Sequence, residues 1–293
     1  MKHSIALITG ATSGVGHAAA RLLAAEGCRE IIVTGRTLPR ARETAELLAA
    51  ETKSQIFKPL ELDLDNPSSV WKALGQLSKR SQPIDLLLLN AGLVPGKKRV
   101  LTGSGIEASQ APLIGHHQLT DGLLESKLLS PDARIIIAGA EPARGGVPLF
   151  KYTDLPAFAA KYFDGDRTAA VEALLRSGPH VKYDANNAYA DAKLMVAWWA
   201  AALAPATVRD GRIRCLARRG NRHRGGAKCW PPGEVSDDPH REPHSRHEPV
   251  ARNRSATIPS GGAVRNGRLR AILCLRQGKV HRPNRGAAPT ALA

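Results

Sequence analysis

The chain has 293 residues, which at roughly 100–200 residues per domain allows one large or two small domains with a substantial core. Apolar residues make up 43% and charged residues 23%, values that exclude a collagen-like, wholly disordered or membrane-spanning chain. The net charge of +16 is unevenly spread: residues 1–211 carry 24 Lys+Arg against 21 Asp+Glu, and residues 212–293 carry 18 against 5, so charge says nothing specific about what the first two thirds bind.

In chain order, Ser4–Thr9 is a short apolar run with no helical period, followed by the glycine cluster Gly10–Gly16 and an Ala/Leu-rich stretch from His17 to Glu26. This spacing predicts strand, glycine turn and helix. A second strand over Glu30–Gly35 precedes a helix over Pro39–Ala50, further strands fall at Gln55–Leu62, Ile84–Asn90 and Ala133–Ala138, and a last helix covers Ala185–Leu203. Strands alternating with helices predict an α/β fold, a doubly wound parallel sheet with helices on both faces. Ligands of such sheets bind outside the carboxyl ends of the strands. The longest apolar stretch, Leu194–Ala204, is far short of the ~20 residues that a spanning helix needs. Four cysteines without pairing or metal-ligand spacing point to a reducing, cytoplasmic setting and to no metal site.

The turn after the first strand has a chemical use. A phosphate approaches backbone N–H groups at a helix N-terminus where no Cβ intervenes, and Gly10, Gly14 and Gly16, with Thr12, Ser13 and Val15 between them, fit that role. A bare structural turn is the plain alternative. The second strand ends in Gly35-Arg36 rather than in an acidic residue. An arginine there pairs bidentately with a ribose 2′-phosphate, favouring NADP over NAD, unless it is a solvated surface side chain.

Four motifs in order carry a resemblance to the short-chain dehydrogenase/reductase family: Thr9-Gly10-x-x-x-Gly14-x-Gly16, Asp63-Leu64, Asn90-Ala91-Gly92 and Tyr189-x-x-x-Lys193. The chain resembles the family over residues 4–204, and Leu113–Thr120 with Arg134–Ile137 look like its retinol-dehydrogenase-like branch. The resemblance implies a Rossmann-type fold, adenine contact at Asp63-Leu64, support of the central strand beside the cofactor by Asn90, Ala91 and Gly92, and a homodimer or homotetramer through the fourth and fifth helices. It further implies that Lys193 holds the nicotinamide ribose beside Tyr189.

Tyr189 and Lys193 stand i, i+4, on one face of the last helix. A nearby ammonium lowers a tyrosine pKa from about 10 and makes the phenol a usable acid or base. This pair is the expected catalytic core of an NADP(H)-dependent oxidoreductase moving hydride between nicotinamide and a carbonyl or alcohol substrate. Two positions depart from the family pattern. The serine expected at the end of the fifth strand is replaced by Gly139-Ala140, and the asparagine expected on the fourth helix is Pro112. Ser177 stands twelve residues before Tyr189 but deep in an insert, and is read as a decoy. His116 and His117 are read as packing or interface residues. The insert, residues 141–184, holds six of the eight Phe and Tyr residues and is either an aromatic lid for a lipophilic substrate or a small satellite core.

The domain division places an NAD(P)-binding Rossmann domain over 1–204, including that insert, and an Arg/Pro/Gly-rich tail over 205–293. From Arg212 the only run of strand-type residues is Ala271–Leu275, so the family's C-terminal strands are expected to be missing or degraded and the tail disordered or out of frame. Back-translating Arg212 onward with GC-rich codons and reading one base downstream permits Val-Tyr-Val-Ala-Ser-Pro-Gly-Gly, which looks like the family's sixth strand and Pro-Gly turn. Two other readings stand beside the enzyme. One is a non-catalytic dinucleotide-binding remnant, because Ala140 and Pro112 remove supporting groups. The other is nucleic-acid binding through the basic tail, which lacks interleaved aromatics and zinc spacing.

Overall fold

The computed structural model describes residues 4–208 and 214–218; the expectations for the rest of the tail, its reading frame, its nucleic-acid role and the Ala271–Leu275 run lie outside those residues. Six parallel strands form one sheet: β1 (Ile5–Thr9), β2 (Glu30–Gly35), β3 (Phe57–Glu61), β4 (Ile84–Leu89), β5 (Leu129–Ala138) and β6 (Arg214–Arg218). Their spatial order is β3-β2-β1-β4-β5-β6, the doubly wound arrangement whose order reverses between β1 and β4. The flanking helices are α1 (Gly14–Ala25), α2 (Leu38–Thr52), α3 (Pro67–Leu77), α4 (Ala111–Glu125), α5 (Leu155–Tyr162), α6 (Arg167–Arg176) and α7 (Ala185–Val208).

All five residues of β1 are buried, because helices cover both faces of the central strands and leave no side for polar alternation. Successive side chains alternate between two cores. Ile5, Leu7, Leu87, Leu89, Ile135 and Ile137 face the larger core with α3, α4 and α7, whereas Ala6, Ile8, Ile31, Val33 and Leu86 face the smaller one with α1 and α2. Truncating a fully buried member such as Leu87 to alanine costs about 2–5 kcal/mol. Side-chain caps set several helix starts: Asn66 accepts from Ser68 N, Asp154 from Ala157 N, and Asp166 from Thr168 N and Ala169 N, each filling an otherwise unsatisfied donor.

Three features differ from the sequence expectations. β6 lies where no strand was expected, in register with β5 from Arg134↔Arg214 to Ala138↔Arg218. A ladder is made by backbone groups, and the short Cys215-Leu216-Ala217 run between arginines suffices to continue it although the surrounding composition is not strand-like. β5 starts at Leu129, four residues before the expected Ala133, and α7 continues to Val208. Third, the insert is no satellite: Leu155, Ala159, Ala170, Val171, Leu174 and Leu175 from α5 and α6 join the larger core, with Phe158 and Phe163 packed against it. Among the described residues no helix is long and apolar enough to cross a membrane.

Candidate active site

The reversal point between β1 and β4 opens into a hollow of about 570 Å³. Of the residues singled out from sequence, Gly10, Thr12, Ser13 and Val15 line it from the β1–α1 turn, Arg36 from the end of β2, Asp63 and Leu64 from the end of β3, and Asn90, Ala91 and Gly92 from the end of β4. Gly14 and Gly16 do not line it. Gly16 works by contact instead: a Cβ there would lie 2.2 Å from Gly10 O and 2.6 Å from Asn90 Nδ2, and one on Gly10, whose φ is +70°, would lie 2.8 Å from Ala91 Cα. Only glycine lets α1, the turn and the β4 end approach this closely.

Polar side chains hold that geometry. Asn90 Nδ2 donates to Thr9 O at 3.3 Å and to Gly10 O at 3.1 Å. Thr9 Oγ1 accepts from Asn90 N at 2.9 Å and Ala91 N at 3.1 Å, and His116 Nε2 lies 2.8 Å from the same oxygen. Thr9 Oγ1 also donates to Leu88 O at 3.4 Å, so one hydroxyl joins β1, the end of β4 and His116 of α4. Burial, and next the Lys193 charge, push the His116 pKa down to about 3. His116 is therefore a buried brace of the β1 and β4 ends, a polar role that its reading as a packing residue did not contain. His117 stays outside the hollow, 3.3 Å from Asp121 and edge-on to Trp199.

Arg40, not singled out from sequence, lines the hollow together with Arg36; Arg36 precedes the N-cap Thr37 of α2, so no helical period links the two in the sequence. Burial and Asp63 push the Asp65 carboxyl up while Arg36 pulls it down, so the Arg36 guanidinium acts on this acidic edge.

A second, smaller hollow contains Tyr189 and Lys193 and shares Ala91, Gly92, Leu93 and Pro112 with the first. Lys193 Nζ donates to Ala138 O at 3.0 Å and sits 5.8 Å from the centre of the Tyr189 ring. Burial pushes the Tyr189 pKa up and the Lys193 pKa down. The expected lowering of the tyrosine is thus not found: the ammonium is engaged by a carbonyl and loses solvation itself, so desolvation decides the direction.

The expected serine is absent from the strand end, where Ala138 lines the hollow and Ala140 opens the 3₁₀ turn Glu141–Arg144. Ser177 caps the C-terminus of α6, and its carbonyl accepts from Arg99 Nη1 at 2.7 Å; it does not line the hollow. The hydroxyl-bearing lining residues are Tyr189 and Ser109. Ser109 Oγ donates to the buried Glu107 carboxylate, whose same oxygen accepts from Ser109 N at 3.0 Å. No spacing in the sequence marks Ser109; only the path of the β4–α4 connection brings it here. Phe150 of the insert meets the Tyr189 ring edge-on at 6.2 Å.

A family model described as short chain dehydrogenase matches residues 4–110. The protein "Oxidoreductase fscI" of Fusarium equiseti is 30% identical over 212 residues, covering 70% of this chain and 82% of that one. Protochlorophyllide reductase of Avena sativa is 31% identical over 141 residues, 46% of this chain and 44% of its own length. A metagenomic short-chain oxidoreductase solved in complex with NADP has the same fold at TM-score 0.54 and 16% identity, over 76% of this chain and 85% of that one. L-Sorbose reductase from Gluconobacter frateurii, solved with NADPH and L-sorbose, does so at TM-score 0.53 and 19% identity, over 74% and 68%. The doubly wound sheet is common to the two solved structures, and the fscI likeness runs over most of both sequences: the chain belongs to the short-chain dehydrogenase family.

Proposed function

We propose that the chain is an NADP(H)-dependent oxidoreductase that interconverts a carbonyl and an alcohol, with Tyr189 as acid/base and Lys193 as its electrostatic partner. The observation that carries this reading is the junction of the two hollows across Ala91, Gly92, Leu93 and Pro112, which brings a long phosphate-compatible cleft up to a tyrosine and a lysine. The residues fit a dinucleotide: a backbone turn that a Cβ would fill at Gly10 and Gly16, Arg36 and Arg40 for a 2′-phosphate, and Asp63-Leu64 at the adenine end. Tyr189 and Lys193 would hold the nicotinamide ribose near Gly92, where a Cβ would stand 3.6 Å from Lys193 Nζ. The nicotinamide supplies or accepts a hydride when bound.

In reduction, the neutral Tyr189 phenol gives its proton to the developing alkoxide, and in oxidation the phenolate takes it back. Burial keeps the phenol protonated, which suits reduction. Lys193 stabilises the phenolate if its ammonium turns from the Ala138 carbonyl toward the ring. Exposed Leu93, Val94, Leu149 and Tyr152 lie on the loops that flank this end and favour a lipophilic substrate, in keeping with the retinol-dehydrogenase-like look of Leu113–Thr120. The unit carrying this chemistry is the Rossmann domain with its 141–184 insert, extended past residue 204 by the end of α7 and by β6, in a homodimer or homotetramer.

A second reading, binding of the dinucleotide without turnover, is favoured by Ala140 and Pro112. Fluorescence titration of the full chain with NADPH and NADH, beside Arg36→Asp, tests the first step. Micromolar NADPH binding about 10- to 100-fold tighter than NADH, with the preference lost in the variant, is expected from a charge-assisted contact worth about 1.5–3 kcal/mol. Equal binding of both nucleotides refutes the NADP assignment, and binding without carbonyl reduction favours the second reading.

A further inference from the structure

Helix α7 carries two pairs at i, i+4. Tyr189 and Lys193 lie on the face toward the hollow, and Asn187 and Asp191 lie on another face, against residues 150–153 of the insert. Asn187 Oδ1 accepts from Lys151 N at 3.0 Å. Asp191 Oδ1 accepts from Thr153 N at 2.6 Å, and its Oδ2 accepts from Thr153 Oγ1 at 2.9 Å. Two of these three bonds hold main-chain N–H groups two residues apart, so they fix the course of the backbone whatever the side chains at 151 and 152 are. The segment so held starts with Phe150, whose ring is the one that meets Tyr189.

The rest of the insert is tied down elsewhere. Tyr183 Oη donates to Gly96 O at 2.8 Å, Arg99 Nη1 to Ser177 O, and Glu107 N to Leu175 O at 2.8 Å, which joins the far half of the insert to the β4–α4 loop. Upstream of Phe150, Gly145, Gly146 and Leu149 all have positive φ, and the Leu149 side chain is 81% exposed. The Asn187 and Asp191 bonds therefore set where this end of the insert lies against α7, beside Tyr189. Asp191 is only 7% exposed, and burial raises its pKa to about 6. A buried acid has a cost that a plain surface tie would not require.

We propose that Asn187 and Asp191 are positioning residues that clamp residues 151–153 to the catalytic helix, so that Phe150 forms an aromatic wall over Tyr189 and selects flat aromatic carbonyl or alcohol substrates over small aliphatic ones. This rests on the reading of Tyr189 as the reacting acid, and deepens it by naming the substrate class and the groups that impose it.

The test uses the full chain with Asn187→Ala, Asp191→Ala, Asp191→Asn and Phe150→Ala. Hydrogen exchange at the Lys151 and Thr153 amides reads the clamp without any need for activity. Both amides should be protected in the parent chain, the Lys151 amide losing protection in Asn187→Ala and the Thr153 amide in Asp191→Ala. Asp191→Asn, whose amide can accept from Thr153 N and donate to its hydroxyl, should retain it. Exchange at loop rates in the parent chain refutes the clamp. Equilibrium binding of fluorescent 2-naphthol reads the wall. Its Kd should rise about 3- to 10-fold in Phe150→Ala, Asn187→Ala and Asp191→Ala and stay unchanged in Asp191→Asn.

With turnover, KM for 2-naphthaldehyde should rise in the three alanine variants at nearly constant kcat, with KM for propanal unmoved. An equal change for both aldehydes, or tight 2-naphthol binding by Phe150→Ala, overturns the wall. A protected clamp and a Phe150-dependent Kd in a chain that reduces neither aldehyde would instead refute the catalytic reading and leave the clamp standing. Should Asp191→Ala fail to fold, Thr153→Val, which removes the hydroxyl donor, and Asn187→Ala at the partly exposed end carry the same comparison.

Discussion

The floor and the roof of the site are built on different principles. The floor, from Gly10 to Gly92, is shaped by backbone: a turn that side chains would fill, strand ends, and Asn90 and Thr9 tying main-chain groups together, with Arg36 and Arg40 at its edge. The roof, made by α7 and the insert, presents side chains: Tyr189, Lys193, Phe150 and the Asn187–Asp191 pair. A backbone-built cradle is specified by a few irreplaceable glycines, whereas a side-chain roof can lose one group and gain another without altering the fold.

If the roof holds the chemistry and the floor the nucleotide, the two should break independently. Tyr189→Phe is expected to lower kcat by about 10²–10⁴-fold while leaving NADPH binding within a few-fold; steady-state reduction and fluorescence titration on one preparation read both. Comparable loss of nucleotide binding would show that the tyrosine holds up the cleft instead. The hydroxyl missing from the end of β5 can be supplied. Ala140→Ser should raise kcat by up to about 10²–10³-fold, the worth of one well-placed donor to developing negative charge. No gain would mean that residue 140 does not face the reacting oxygen, and would turn attention to Ser109. In the floor, Gly16→Ala places a Cβ against Gly10 O, and overpacking of this kind costs about 1–3 kcal/mol. Its melting temperature should fall by several degrees and NADPH binding with it; an unshifted melting point would contradict the close approach of α1 to the turn.

The same division explains what the sequence made legible. Gly10–Gly16, Asn90–Gly92 and the alternation of apolar strands with helices are local patterns tied to backbone geometry, and the structure brings Gly10, Thr12, Ser13, Val15 and Asn90–Gly92 to one hollow while Gly16 supports it by contact. Tyr189 and Lys193 were visible because a helix converts i, i+4 spacing into a shared face. The direction of the tyrosine pKa was not visible, since it depends on how much solvent the insert removes and on the Ala138 carbonyl that engages Lys193. Ser109, the His116–Thr9 bond and the Asp191–Thr153 bonds join residues 38 to 107 positions apart or sit on an unpatterned loop, so no periodicity reports them. β6 was hidden because arginine-rich composition masks a backbone-driven ladder.

His116 in the floor and Asp191 in the roof are buried titrating groups whose pH responses have opposite signs. His116 in the floor is held neutral, with its pKa lowered from 6.5 to about 3. The unfolded chain binds the extra proton between those values, so this contribution is complete above 6.5 and is lost as pH falls toward 3. Asp191 in the roof has its pKa raised from 3.8 to about 6. There the folded chain binds the extra proton, so stability from this group is greatest below 3.8 and declines as pH rises through about 6. Each slope is at most about 1.4 kcal/mol per pH unit, and over the shared range of about pH 4 to 6 they oppose each other. The parent chain should therefore lose less stability on mild acidification than a buried histidine alone would impose. Asp191→Asn, which keeps the bonds but not the ionisation, should make the fall in melting temperature below about pH 6 steeper. His116→Asn should make it shallower or reverse it. Melting curves between about pH 4 and 7 decide the matter, because shared contributions such as that of Asp65 cancel in the difference between variant and parent. Parallel curves for all three chains would mean that neither group titrates in the range its burial implies.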